Sequence, residues 1–219
     1  MSKYDILLKI LDQIRAEGIA AGFKSYNASA EDIEWLNQTR SKAYIHLYLK
    51  VKFGLLSFAK RETCVTDGTN DGGIDGYFID EETKSITFLQ SKFRTTKKNF
   101  ETKKITIDEM ASMDIARITA GYEQSESGLE YNGKIKGLIR SISQIDDIGR
   151  YKYRTVIIAN LPDISQSILR SLTGGFPVET FDAERCYAEL VFPVITGTYF
   201  QKEELAILLD LNTKNAGAK

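Results

Sequence analysis

Residues 66–93 read TDGTNDGGIDGYFIDEETKSITFLQSKF, and this stretch decides the fold. Its segments 74–80 (IDGYFID) and 85–93 (SITFLQSKF) are rich in apolar and β-branched residues, a composition that predicts two strands. The four polar residues 81–84 between them predict a tight turn, so the strands should form an antiparallel hairpin. The preceding residues 67–73 combine Gly, Asp and Asn, which is typical of a loop.

The pairing of this hairpin predicts a polar site at the end away from the turn. A hairpin that is symmetric about the middle of its turn places Tyr77 opposite Phe88 and Asp75 opposite Gln90. Because side chains alternate along a strand, Lys92 shares the face of Asp75 and Gln90. An acid, an amide and an amine therefore converge beside the loop. A slip of one residue would move Asp75 to the opposite face, so this prediction depends on the register.

These groups suit metal-assisted hydrolysis of a phosphodiester. Mg²⁺ takes oxygen ligands and few of them from protein, and here Asp75, Gln90 and the backbone carbonyl of Ser91 supply them. Lys92 would orient or deprotonate a metal-bound water and offset charge on a phosphate. A lysine at a strand end often only reaches solvent, but the position of Asp75 opposite Gln90, on the face of Lys92, favours a site.

The two motifs, DGGIDGYFID and FLQSKF, resemble the PD-(D/E)xK nuclease superfamily. They are most similar to its Mrr-like and abortive-infection (AIPR-type) branch, in which the second acidic position is often Gln. The resemblance implies that Asp75 binds the metal, that Gln90 takes the second acidic position and that Lys92 is the catalytic lysine. It also implies an α/β, restriction-endonuclease-like domain, in which helices flank a mixed β-sheet with an α-β-β-β-α-β core.

Further metal ligands follow from the same resemblance. Gln90 is neutral and binds a divalent cation less strongly than Glu would, so other acids matter. Asp71 and Asp67 of the loop are candidates, although aspartates also favour tight loops through local hydrogen bonds. Some relatives add an acid from the first core helix, for which Glu34 is the best candidate and Glu31 the next.

A calcium loop is the competing interpretation of residues 67–78. Asp67, Thr69, Asp71 and Asp75 occupy positions 1, 3, 5 and 9 of the EF-hand pattern. The pattern fails at position 12, where Phe78 stands in place of the bidentate Glu, and the following segment predicts a strand rather than a helix.

Basic residues are concentrated directly after the second strand. Residues 92–104 (KFRTTKKNFETKK) hold six basic residues against one acid, Glu101. The predicted nucleic-acid contacts are Arg94, Lys97, Lys98, Lys103 and Lys104. A basic cluster next to a hydrolytic site suits contacts with the phosphates of DNA.

The composition of the 219-residue chain limits the alternatives. It is 42% hydrophobic and 27% charged, as in an ordinary globular protein, and its formal net charge of −1 excludes a global basic field. The two cysteines form no CxxC pair, which argues against structural zinc. No apolar run approaches the roughly 20 residues of a spanning helix, so we expect a cytoplasmic protein without membrane contact. His46, the only histidine, is interpreted as a core or surface residue.

Four parts of the chain are expected. Residues 1–28 form an N-terminal helix on the core, 29–161 the nuclease core, 162–211 an α/β extension and 212–219 a polar tail or a cut within a longer protein. The predicted core elements are a helix at 29–58, strands at 62–66, 74–80 and 85–93, a helix at 105–120 or 134–148, and a strand at 155–161. A final amphipathic helix is predicted at 202–211.

The sequence thus predicts a Mg²⁺- or Mn²⁺-dependent DNA endonuclease. A role in bacterial defence against foreign DNA, and a homodimer that cuts both strands, are implied by the family resemblance alone. The alternative is a nuclease fold that binds nucleic acid with little or no turnover. A lysine buried without a task would be costly, and Lys92 therefore argues against complete loss of activity.

Overall fold

A computed structural model of the protein describes residues 1–111 and 113–198. A four-stranded mixed sheet lies at its centre, in the order β1 (Gly76–Asp80), β2 (Ser85–Ser91), β3 (Lys152–Ile158) and β4 (Val178–Thr180). β1 is antiparallel to β2, whereas β2, β3 and β4 are mutually parallel neighbours. The prediction of an α/β fold with a mixed sheet flanked by helices is confirmed.

The hairpin of β1 and β2 has the predicted register. Tyr77 pairs with Phe88, and Asp80 pairs with Ser85 across the turn. All seven residues of β2 are buried, because β1 and β3 cover its two edges and helices cover both of its faces. A central strand of this kind explains why both faces of the segment 85–91 are apolar up to Gln90.

Helices and helical turns supply the rest of the regular secondary structure in the described residues. The α-helices are α1 (Lys3–Ala20), α2 (Ile33–Phe53), α3 (Phe58–Thr63), α4 (Lys97–Thr102), α5 (Ile107–Ala111), α6 (Ile115–Thr119), α7 (Gly133–Ser143), α8 (Gln166–Leu172), α9 (Ala183–Cys186) and α10 (Phe192–Thr196). Short 3₁₀ turns occupy Lys24–Tyr26 and Ile148–Arg150, and a π-helical turn occupies Tyr187–Val191.

Two apolar layers sandwich the sheet. On one face, α1 and α2 pack through residues such as Leu11 and Leu47 against Leu89 of β2. On the other face, α6 and α7 pack through residues such as Ile115 and Leu138 against Phe88. Burying apolar surface on both faces stabilises the sheet and holds the strand ends in fixed positions.

The first core helix is shorter than predicted. It begins at Ile33, because the Asp32 side chain accepts a hydrogen bond from the Trp35 N–H (3.0 Å) and so caps the helix. It ends at Gly54, which adopts a left-handed conformation with φ of 64°.

The predicted strand at 62–66 is wrong. Residues 58–63 form α3, whose first turn is capped by Ser57, and only Val65 makes a bridge, to Gly76 of β1. The predicted helix at 105–120 is divided into α5 and α6, whereas α7 covers most of the alternative at 134–148.

The C-terminal predictions are tested only as far as residue 198. The predicted helix at 202–211 and the polar tail at 212–219 lie outside the described residues. Within the described ranges, none of the helices combines the length and the apolar character that crossing a membrane requires.

Candidate metal centre and nucleic-acid interface

The predicted site lies at one edge of the sheet. β2 and β3 are parallel and both end there, and the Lys92 N–H donates to the Ile158 carbonyl (3.1 Å) just beyond the ladder. β1 begins at the same edge, directly after the loop 67–73, which we call the acidic loop. The carboxyl ends of parallel strands are a common place for ligand sites in open α/β sheets.

Asp75 is fixed to the end of β2. Its Oδ2 accepts a hydrogen bond from the Ser91 N–H (2.6 Å), and its own N–H donates to the Leu89 carbonyl (2.9 Å). The side chain is buried, and this burial, together with the charges of Asp67 and Asp71, raises the pKa of Asp75 to about 7. The hydrogen bond from Ser91 and the charge of Lys92 oppose the rise.

Three carboxylates meet at this point. One oxygen from each of Asp67, Asp71 and Asp75 lies within 4.8 Å of the other two. Asp71 is held by hydrogen bonds from the N–H groups of Gly68 (3.1 Å) and Gly73 (2.9 Å). Burial raises the pKa of Asp71, and the charge of Asp67 raises it further. Carboxylates this close repel one another, and a divalent cation between them would remove the repulsion.

Gln90 contributes a buried side-chain amide, whose nitrogen and oxygen differ in their contacts. Its Nε2 donates to the carbonyls of Glu109 (2.8 Å) and Gly73 (3.4 Å), so the amide lies against the end of the acidic loop. Its Oε1 is buried and has no hydrogen-bond partner among the described residues. Leaving a buried acceptor unpaired costs free energy, and an amide oxygen is a ligand type that Mg²⁺ and Ca²⁺ accept.

Ser91 and Lys92 complete the end of β2. The Ser91 hydroxyl is buried and is likewise without a hydrogen-bond partner within the described ranges. Lys92 is half-buried, and its ammonium charge offsets part of the rise that burial causes in the pKa values of Asp71 and Asp75. Lys92 therefore acts on the acids through its charge, without an ion pair to any of them in the described structure.

The acids of the first core helix lie apart from this cluster. Glu34 is exposed in the first turn of α2, and Glu31 is exposed just before it. Neither belongs to the carboxylate cluster found in the described residues. Their predicted role as metal ligands has no support from position, and it stays a prediction.

A buried polar network near the cluster was not predicted. Glu62, in the last turn of α3, accepts hydrogen bonds from Tyr26 Oη (2.5 Å), His46 Nε2 (3.1 Å) and Lys134 Nζ (3.1 Å). Burial alone would raise the pKa of Glu62, but the hydrogen bonds from His46 and Tyr26 lower it to about 2. Burial and the hydrogen bond to Glu62 raise the pKa of Tyr26, and the charge of nearby Asp67 adds to the rise. Only the tertiary fold brings these residues together, so no local motif could have identified them.

The predicted nucleic-acid contacts divide into two kinds. Lys97, Lys98, Lys103 and Lys104 are exposed, and none of them forms an ion pair with a described residue. Arg94 is half-buried, and its guanidinium lies 3.8 Å from the Glu109 carboxylate. Glu101, the one acid of the segment, accepts a hydrogen bond from Tyr187 Oη (3.1 Å). The four lysines therefore form an exposed basic surface in the segment that follows β2.

Comparisons with known proteins leave the family open. No protein-family model matches the chain, and comparison with curated proteins and with solved structures finds no match. The resemblance to the PD-(D/E)xK superfamily therefore stays a prediction, and the function has to be inferred from the chemistry of the site.

Proposed function

We propose that the protein is a Mg²⁺- or Mn²⁺-dependent DNA endonuclease. The observation that carries the proposal is the meeting of Asp67, Asp71 and Asp75 at the carboxyl edge of the sheet, where the charge of Lys92, the residue after β2, reaches them. Carboxylates that hold a cation next to a lysine are what hydrolysis of a phosphodiester requires.

The residues present fit a divalent cation. The three aspartates supply anionic oxygens, and the unpaired Oε1 of Gln90 supplies a neutral one. The Ser91 carbonyl at the same strand end is a further candidate ligand. Mg²⁺ bound here would lower the pKa of a coordinated water and neutralise charge on a phosphate oxygen.

The protein's own side chains would bind the phosphate, transfer protons and hold the DNA. Lys92 would bind a phosphate oxygen, or accept and release a proton beside the acids. The exposed lysines of residues 97–104 would hold the DNA backbone by charge, without reading its sequence. Cleavage of both strands by a homodimer, and a role in defence against foreign DNA, belong to the proposal through the family resemblance only.

A calcium loop is the second candidate, and one observation favours it. The three clustered aspartates stand at positions 1, 5 and 9 of the EF-hand pattern. Against it, residues 76–80 form β1 where an EF-hand would continue as a helix, and Phe78 replaces the bidentate Glu. A Ca²⁺-binding loop without hydrolysis would bind Ca²⁺ more tightly than Mg²⁺.

A plasmid-nicking assay with Mg²⁺, Mn²⁺ or Ca²⁺ tests the proposal. We expect nicking by the wild type with Mg²⁺ and Mn²⁺ but not with Ca²⁺. Asp75→Asn should lower the rate by more than about 100-fold, because loss of outer-shell support alone costs roughly 10- to 100-fold in metal sites. Asp80→Asn, at the other end of β1, makes the same substitution away from the site and should nick like the wild type.

Three outcomes would contradict the proposal. Equal nicking by Asp75→Asn and the wild type would show that the cutting comes from a contaminant or another site. A wild type that shifts DNA in a gel without cutting it would favour the binding module. A wild type that binds Ca²⁺ tightly and does neither would favour the calcium loop.

A further inference from the structure

The acidic loop is attached to a residue far away in the sequence. Asn132 precedes α7, and its Nδ2 donates to the carbonyls of Thr66 (3.2 Å) and Thr69 (3.3 Å). Its backbone N–H donates to the carbonyl of Asn70 (2.9 Å). Three hydrogen bonds thus hold the segment that carries Asp67 and leads to Asp71.

The same side chain also caps α7. The Oδ1 of Asn132 accepts hydrogen bonds from the N–H groups of Lys134 and Ile135, both at 3.0 Å. The partners determine the orientation of the amide, since its oxygen faces two donors and its nitrogen faces two acceptors. Asn132 therefore connects a helix of the core to the acidic loop, and a residue without an amide nitrogen would keep the cap and the backbone bond to Asn70 but lose the bonds to Thr66 and Thr69.

The loop needs such an attachment because its charges repel. The carboxylates of Asp67, Asp71 and Asp75 are held within 4.8 Å of one another, and the loop between them is rich in glycine. A further hydrogen bond, from the Asp114 N–H to the Gly72 carbonyl (2.8 Å), fixes the C-terminal part of the loop. Without these bonds, repulsion would favour loop conformations in which the carboxylates are farther apart.

We infer that Asn132 is a positioning residue, which holds the acidic loop in the conformation that binds the cation. The inference rests on the proposed function, since it assigns the loop a metal to bind. Asn132 acts through the backbone of residues 66–70, whose carbonyls accept its hydrogen bonds.

The test uses a variant that removes the side-chain amide of Asn132 but keeps the cap of α7. Asn132→Ser retains a side-chain oxygen suited to capping α7 but loses both hydrogen bonds from Nδ2. We expect Mn²⁺ affinity, measured by calorimetry, to fall roughly 10- to 100-fold, as for other residues that orient metal ligands. Nicking by this variant should return to the wild-type rate at saturating Mn²⁺. Ser165→Ala, which removes the cap of α8, is the matched control and should leave Mn²⁺ affinity unchanged.

Hydrogen exchange separates this inference from the proposed function. The amides of Gly68 and Gly73, which donate to Asp71, should exchange faster in Asn132→Ser than in the wild type, with or without metal. Equal Mn²⁺ affinity in the two proteins would overturn the inference even if the wild type is a nuclease. Faster exchange combined with a wild type that binds no divalent cation would instead overturn the proposed function and, with it, the role of Asn132 towards a metal.

Discussion

The acidic loop and the basic segment that follows β2 (residues 92–104) carry opposite charges, and they differ in how far the fold fixes their charged side chains. In the acidic loop, Asp75 is buried against the backbone of β2, and Asp71 is held by two N–H groups of its own loop. In the basic segment, the four lysines of residues 97–104 extend into solvent without an ion-pair partner in the described structure.

This difference indicates different tasks. Holding carboxylates close together lowers the stability of the folded protein, but it places the ligands of a small cation in position before the cation binds. Exposed lysines keep their hydration and their rotamer freedom, which suits a long polyanion bound without a fixed register. Lys92 lies where the two regions meet, since it directly follows β2 and its charge acts on the acids.

The largest expected effect follows from removing the charge of Lys92. We expect Lys92→Gln to lower the nicking rate by roughly 10²- to 10⁴-fold, the usual contribution of a side chain that transfers a proton in the reaction. Mn²⁺ affinity should stay the same or increase, because a positive charge beside the acids is lost. Lys84→Gln removes a charge just before β2 and should nick normally. Weaker Mn²⁺ binding by Lys92→Gln would instead assign Lys92 to the assembly of the metal centre.

Burial of Asp75 predicts a pH dependence of stability in metal-free protein. The pKa of Asp75 is about 7 in the folded state against about 4 when unfolded, so folding favours the protonated form. Its contribution to stability is therefore complete below pH 4 and is lost as the pH rises through 7. Relative to Asp75→Asn, the free energy of unfolding of the wild type should fall by up to about 4 kcal/mol between pH 4 and pH 9.

Urea unfolding of both proteins across this pH range measures the difference. The asparagine retains an oxygen that can accept the Ser91 hydrogen bond, so the comparison isolates the charge. Addition of Mg²⁺ at pH 8 should stabilise the wild type and leave the variant unchanged. A stability difference that does not vary with pH would mean that Asp75 is not held in a poorly solvated cluster.

The smallest expected effect concerns the basic segment. Replacing Lys97, Lys98, Lys103 and Lys104 together by Gln should reduce the slope of log affinity for DNA against log salt concentration by up to about 4, one for each phosphate contact. Metal affinity and stability should change little. The matched control replaces four exposed lysines elsewhere, namely Lys9, Lys24, Lys60 and Lys152. An equal change of slope in both variants would show that only net charge matters.

The hairpin was predictable because its determinants are local. Four polar turn residues between two apolar segments fixed the register, and the register determined that Asp75 lies beside Gln90 and Ser91. The approach of Asp67 and Asp71 to Asp75 was also suggested by their spacing in one short loop.

The incorrect predictions concern segments whose local structure depends on contacts with residues far away in the sequence. The sequence predicts a strand at 62–66, but Arg61 just before it is buried in α3 and donates to the carbonyls of Leu55 and Leu56 and to Glu17. The sequence pattern contains no sign of these partners. Asn132 could be identified as a helix cap from its position before α7, but its bonds to residues 66–70 depend on how α7 packs on the sheet.

The turn between β1 and β2 stands at the opposite end of the hairpin from Asp75. It comprises residues 81–84, and Asp80 binds the N–H groups of Glu82 and Thr83 within it. A strand advances about 3.3 Å per residue, so the five residues of β1 carry the turn roughly 15 Å away from the acids. A fluorophore or an affinity tag inserted there would report on the protein from a distance, without contacting the acidic loop.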